Sequence, residues 1–420
     1  MRRISKGRLR LPAVVASAVS AVLVLASCSG GTSDSTGSGE DWLDELEAMT
    51  IRIADWTAGD AETGLYGKAW QGFAERIEEA TDGKITFEFY WGTSLLTATD
   101  ALKGVSDGVA DISVVNSVYY PSELPVGTWL SGLGAGLTGS IVHDVAAGGA
   151  ASFQTAQTLE PLVEEWRSHN LYPIMTVGSA PYNLICTQPL RTLADAANKK
   201  VRTAGGPWTK TIEDLGMVPV NLSYNEIYEG LQRGVIDCVT INPNQLVSSL
   251  ILKDIAPYYH PVTFPLFQAT NFVMTLDLWE SFPLELKQLM HREAAQVAFD
   301  IWNRFIELEA LAGEAIAAGD VVQTVEATEL EEAAARSRAE YIESLAASAP
   351  AAVSNPEQVV QDYLALFDRW TQVLVDQGYE IPERNIDAIL ESFATLGETD
   401  YSEFFEVFKS EYVEPNTPKQ

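Results

Sequence analysis

Histidine is scarce in this 420-residue chain, and its four copies, His143, His169, His260 and His291, are too scattered for any pair to have metal-ligand spacing. No bound metal is expected, and no cofactor. No P-loop occurs, which removes one common catalytic signature. Basic residues are also few. Five of the 27 Lys and Arg (Arg2, Arg3, Lys6, Arg8, Arg10) fall in the first ten positions and all 58 Asp and Glu follow Cys28, so 22 basic residues face 58 acidic ones beyond it. So acidic a surface repels nucleic acid and anionic lipid headgroups, and excludes both as main partners. Carboxylates are abundant, but no spacing marks two of them as a catalytic pair, which makes an enzyme the weaker class.

Long apolar runs are missing beyond the N-terminus. There, MRRISKGRLR supplies a basic region and LPAVVASAVSAVLVLAS an apolar core too short to span a membrane. Residues 1–27 are therefore expected to be an export signal. Leu25-Ala26-Ser27-Cys28 resembles a bacterial lipobox, which makes Cys28 the expected lipidation site and 28–44 a flexible, lipid-anchored linker. The expected location is extracytoplasmic, in the periplasm or at the cell surface. With 46% apolar residues, the roughly 375 that remain suffice for more than one core. Cysteine is the last scarcity: besides Cys28 only Cys186 and Cys238 occur, and in an oxidising compartment they are either a disulfide or two small core residues.

What is present is a repeated unit. TIRIAD (50–55), LYGKAWQGFAERIEEATDG (65–83) and KITFEFYW (84–91) read as strand, helix and strand, and DALKGVSDGVADISVVNS (100–117) as helix, glycine stop and strand. The last pattern returns in EIYEGLQRGVIDCVTINP (226–243). Laid together, the two share Gly104 with Gly230, Gly108-Val109 with Gly234-Val235, Asp111 with Asp237 and Asn116 with Asn242. In each, the second glycine ends a helix, the aspartate opens a buried strand, and the asparagine falls at the strand's carboxyl end, where open α/β sheets bind ligands. Further strands are read within 171–189, 193–205 and 208–224, and long helices from 282 onward. Arg202, in NKKVRTAGGPW (198–208), has no acidic neighbour in sequence, so its counter-charge must come from a distant residue, solvent or a ligand.

Together, TDGKITFEFYW, the GVxD junction, LADAANKKVRTAGG, LGMVPVNLSYNEIYEGLQRGVID and FVMTLDLWESFP resemble the solute-binding proteins of tripartite ATP-independent periplasmic (TRAP) transporters, of the dicarboxylate- and sialic-acid-binding type. The resemblance covers about 48–345 and is densest over 189–243. It implies an α/β fold of two periplasmic-binding-protein-like lobes joined by crossover hinges, with a long helix near 282–312 spanning both. Lobe one is expected at 45–178 plus 268–308, and lobe two at 179–267 plus 309–420. The implied function is capture of a small organic acid between the lobes and delivery to a TRAP-type permease by a monomeric, non-enzymatic lipoprotein; a secreted hydrolase and a ligand-sensing subunit are the alternatives. By the same resemblance Arg202 grips the carboxylate, Asn242 and Tyr224 contact the ligand, and Asn116 reaches it from the other lobe. Asp55 and Trp56 are expected to face the cleft, with Trp91 and Trp208 among the aromatics crowding it. Sialic-acid-type members carry a second arginine where this chain has Tyr182, and Cys238 stands where glycine is usual. One cation among aromatics favours a partly apolar monocarboxylate.

Overall fold

The computed structural model describes residues 41–57, 59–266, 270–319, 322–381 and 386–419. The expected export signal and Cys28 lie outside them. Two sheets organise the chain from Trp42 onward. The first contains β1 (Met49–Asp55), β2 (Ile85–Trp91), β3 (Ile112–Asn116), β4 (Leu171–Val177) and β10 (Thr270–Thr275), in the order β2-β1-β3-β10-β4. β1 runs parallel to β2 and β3, whereas β10 enters antiparallel between β3 and β4. The second contains β5 (Tyr182–Cys186), β6 (Lys200–Thr203), β7 (Val218–Asn221), β8 (Cys238–Ile241), β9 (Tyr258–Phe264) and β11 (Gln323–Thr324), in the order β11-β9-β5-β8-β6-β7.

The chain crosses between the sheets three times: from β4 to β5, from β9 to β10, and through the helix Leu284–Ala318 to β11. That helix is apolar along most of its length, burying Leu286, Met290, Ile301, Trp302 and Phe305 among others. Gly319, at φ 68°, supplies the left-handed stop that an L-residue resists. Its 35 residues span about 50 Å at 1.5 Å per residue, long enough to run along both lobes. No described helix is long and apolar enough to cross a membrane.

The helices beyond 350 differ from the expected boundary, which assigned 309–420 to lobe two. Pro356–Asp376 packs along Ile141–Thr158, which itself covers β4 of the first sheet. Phe408, from Ser402–Phe408, meets Phe153 and Trp302 edge-on. The physical reason is the face that Ile141–Thr158 offers, where Val145, Ala146, Ala150 and Phe153 need a cover and Tyr363, Phe367 and Trp370 provide it. Thr328–Ser344 instead packs on β9 and on the helix Gly206–Asp214 of the second lobe, and also against the turn Ser131–Gly136 from the first lobe's stretch.

Candidate ligand-binding site

The repeated unit builds the site. Gly108 and Gly234 adopt φ 73° and 68°, and the next residue closes the turn, Val109 N–H on the Gly104 carbonyl and Val235 N–H on that of Gly230. The following aspartate accepts from the backbone of the neighbouring strand: Asp111 from Arg52 N–H and Asp237 from Lys200 N–H, each at 2.8 Å. Each carboxylate thus pins the start of its strand beside β1 or β6. Five residues beyond each aspartate, both strands deliver an asparagine to one cavity of about 630 Å³, its open mouth included.

Of the nine expected ligand residues, Trp56, Asn116, Tyr182, Arg202, Tyr224 and Asn242 line this cavity. Three do not. Asp55 is buried behind Trp56, where its Oδ1 accepts from Thr57 N–H at 2.9 Å and from the Thr57 hydroxyl; burial pushes its carboxyl up to about 6. Trp91 stacks on Phe89 at 5.0 Å, on the β2 edge of the sheet. Trp208 is fully buried, donates to the Pro265 carbonyl and lies under the Tyr182 ring, so it supports the lining from behind. Tyr66, Gln245, Ser249 and Phe305 line the cavity without having been expected there. Phe305 sits on the long helix, whose spacing marks it only as core.

Arg202 is the single charged group among the described lining residues. Only 2% of it is exposed, yet no described carboxylate forms an ion pair with it. Its Nε donates to the Leu222 carbonyl at 2.9 Å and its Nη2 to the Tyr119 hydroxyl at 3.3 Å, which fixes the guanidinium plane. Burial raises the pKa of Tyr66, Tyr182 and Tyr224, so all three present neutral phenols. Asn242 donates to the Ala180 carbonyl and so ties β8 to the first crossover, while the Asn116 Oδ1 is buried with no partner among the described residues. One fixed cation surrounded by neutral polar and aromatic groups suits an anion with apolar bulk.

Behind the cavity, Glu309 of the long helix is fully buried. Its Oε1 accepts from Asn244 Nδ2 at 2.7 Å, its Oε2 has no described partner, and burial pushes its pKa from 4.5 up to about 8. The folded state therefore holds a proton that the unfolded chain releases above about 4.5. The associated stability is complete at lower pH and is lost as pH rises through 8. Melting temperature between pH 5 and 9 should accordingly fall more steeply in the wild type than in Glu309→Gln; parallel curves would contradict a buried neutral carboxyl.

Elsewhere, a wider opening of about 980 Å³ lies around His143 and Tyr379, but its charged groups, Glu380, Glu391 and Glu398, are acidic and repel carboxylates. No group of three or more His, Cys, Asp or Glu able to hold a metal occurs among the described residues. Residues 134–139 spell G-x-G-x-x-G ahead of the helix Ile141–Thr158, but the motif begins inside the 3-10 turn Ser131–Gly136 and follows no strand, so the dinucleotide context is missing. Cys186 and Cys238 stand opposite each other on antiparallel β5 and β8 and are bonded, with S–S 2.08 Å.

Comparison with known proteins agrees with this geometry. Residues 141–347 match the sequence model of bacterial extracellular solute-binding protein, family 7. A curated solute-binding protein of Roseobacter denitrificans is 25% identical over 187 residues, 44% of this chain and 55% of the relative. The match thus spans about half of that relative's length. Among solved structures, a Bordetella pertussis extracytoplasmic solute receptor binding pyroglutamic acid shares 17% identity over 75% of this chain and 99% of its own, with a TM-score of 0.62. A marine-metagenome TRAP solute-binding protein, specific for aromatic acid ligands and bound to 3-hydroxybenzoate, shares 17% over 77% and 99%, with a TM-score of 0.63. The matched segment, just under half of the chain, carries the sequence pattern of bacterial extracellular solute-binding protein family 7, the DctP family, and the two-lobed architecture is that of solved TRAP solute-binding proteins.

Proposed function

We propose that this chain captures a small organic acid in the cavity between its two sheets, outside the cytoplasmic membrane, and delivers it to a TRAP-type permease while anchored by lipid at Cys28. The observation that carries the proposal is Arg202, a buried guanidinium facing a cavity with no described carboxylate in contact with it, Glu226 acting on it only from a distance. The solute's carboxylate is its counter-ion. A single cation and an aromatic lining favour a monocarboxylate with apolar bulk over a diacid, and the pyroglutamate and 3-hydroxybenzoate held by structural relatives are of that kind. A carboxylate-pair hydrolase is disfavoured, because Asp55 and Glu309 both lie outside the cavity lining. A thermal-shift screen of organic acids tests the proposal: a true ligand at a hundred times its dissociation constant adds ~2.7 kcal/mol of stability. Chemical turnover of a hit, or stabilisation by no acid at all, would count against it.

Tyr182 stands where sialic-acid-type relatives place a second cation, and its phenol can offer one neutral hydrogen bond. Tyr182→Phe is therefore expected to weaken the best acid by only about 2- to 10-fold, the worth of such a bond. Calorimetric titration checks this, and a loss exceeding that of an Arg202 variant would mean that the wrong residue has been assigned to the carboxylate.

A further inference from the structure

We infer that the captured acid must carry a hydrogen-bond donor, a hydroxyl or an N–H, in addition to its carboxylate, and that Glu309, outside the cavity, fixes this requirement. The inference rests on the cavity being a carboxylate site. Four side chains form a hydrogen-bonded chain from the long helix into the cavity. Glu309 Oε1 accepts from Asn244 Nδ2 at 2.7 Å; Asn244 Oδ1 accepts from Gln245 Nε2 at 2.7 Å; Gln245 Oε1 accepts from the Tyr224 hydroxyl at 2.8 Å.

A carboxyl oxygen without a proton can only accept, and with Oε1 in that state the direction of every later link follows. Asn244 must turn its NH₂ toward Glu309 and its carbonyl toward Gln245. Gln245 must then spend an N–H on Asn244 and offer its carbonyl to Tyr224. Tyr224 therefore spends its one proton away from the ligand, and its phenol is held neutral by burial, so it keeps no other. With the proton that burial favours placed on Oε2, Oε1 stays an acceptor and the direction is unchanged; a proton on Oε1 would instead be donated to Asn244 and reverse it. Ser249 lies beside the phenol and lines the same corner. If its hydroxyl donates to Tyr224, its own oxygen becomes the acceptor offered to the cavity. From the opposite lobe, the buried Asn116 Oδ1 adds a second acceptor without a described partner.

The lining is thus polarised, with guanidinium donors at Arg202 and lone pairs at Tyr224 and Asn116. A carboxylate lacking a donor leaves buried acceptors unpaired, whereas a hydroxy or N–H acid satisfies them. Glu309 touches no ligand in this scheme. It is a positioning residue acting through Asn244 and Gln245.

The test is calorimetric titration of the mature chain with matched acids: pyroglutamate against its ring-oxygen analogue 5-oxotetrahydrofuran-2-carboxylate, 3-hydroxybenzoate against 3-methoxybenzoate, and 2-hydroxybutyrate against butyrate. Any donor-bearing acid that binds should do so at least ~10-fold more tightly than its mate. Tyr224→Phe should reduce that ratio to within about threefold. Glu309→Gln should reduce it similarly, because an amide can turn over and let Asn244 and Gln245 reverse. A ratio between matched acids is not moved by a general loss of packing, which lowers both affinities together. Equal binding of both mates to the wild type, with Arg202→Ala still abolishing each, overturns the donor requirement alone. A ratio that collapses in Tyr224→Phe but persists in Glu309→Gln overturns the role of Glu309. Failure of every acid of either kind to bind at millimolar concentration overturns the carboxylate reading, and this inference with it.

Discussion

Arg202→Ala is expected to weaken the best-binding acid by at least ~100-fold while leaving the chain folded. In the wild type the guanidinium is 2% exposed and held in place by Leu222 and Tyr119, so little ordering remains to be done when a carboxylate arrives. Removing it leaves the acid's anion buried without a partner, a loss of ~3–5 kcal/mol, which is the stated fold-change or more. Arg202→Lys should rescue little, since an ammonium keeps the charge but not the two-point geometry. The same substitution also strips a donor from the Leu222 carbonyl, worth ~1 kcal/mol of stability. Melting curves recorded beside the titrations separate the two effects. An affinity within threefold of wild type in folded Arg202→Ala protein would remove this residue from the site.

The second large effect concerns stability. Replacing both Cys186 and Cys238 by Ala should cost ~4 kcal/mol, the chain-entropy value for a cross-link closing a loop of this length, here a separation of 52 residues. The cost should appear as a lower denaturant midpoint, with a slope that rises somewhat because the unfolded chain without the cross-link expands. The bridge joins β5 to β8 at the ends remote from Tyr182 and Asn242, so ligand affinity should change far less than stability. Thiol titration of the unfolded, unreduced chain should find neither cysteine free. An unmoved midpoint in the double variant would show that the cross-link contributes nothing to the fold.

Much of this was readable from sequence where the local signal and the tertiary role coincide. The two glycine-aspartate junctions specify their own turns, and Asn116 and Asn242 follow at fixed spacing, so the strand ends that line the cavity were legible. Arg202 was legible because its neighbours lack negative charge. The helix Ile141–Thr158 was not, because Gly148 and Gly149 break the helical pattern. A Cβ at Gly149 would approach the Trp302 ring to 2.3 Å, so tertiary packing there outweighs helix propensity. Asp55 and Trp208 were assigned to the cleft correctly in region but not in facing, since one or two residues decide whether a side chain at a strand or helix end points into the cavity or behind it. Glu309 left no trace, because an isolated acidic residue on a long helix looks solvated until its neighbours are known.

The placement of β10 also dictates an order of events during folding. The core strands of the second sheet, β5 to β9, lie within one continuous stretch, 182–264, and can pair as soon as that stretch is available. The first sheet cannot close: β3 and β4 have no contact with each other until β10, made about 95 residues after β4 ends, is inserted between them. Until then each presents an open edge, and open edges invite pairing with other chains. The sheet that begins first therefore closes only after the core strands of the second are complete, and for that interval it depends on whatever keeps unfinished chains apart.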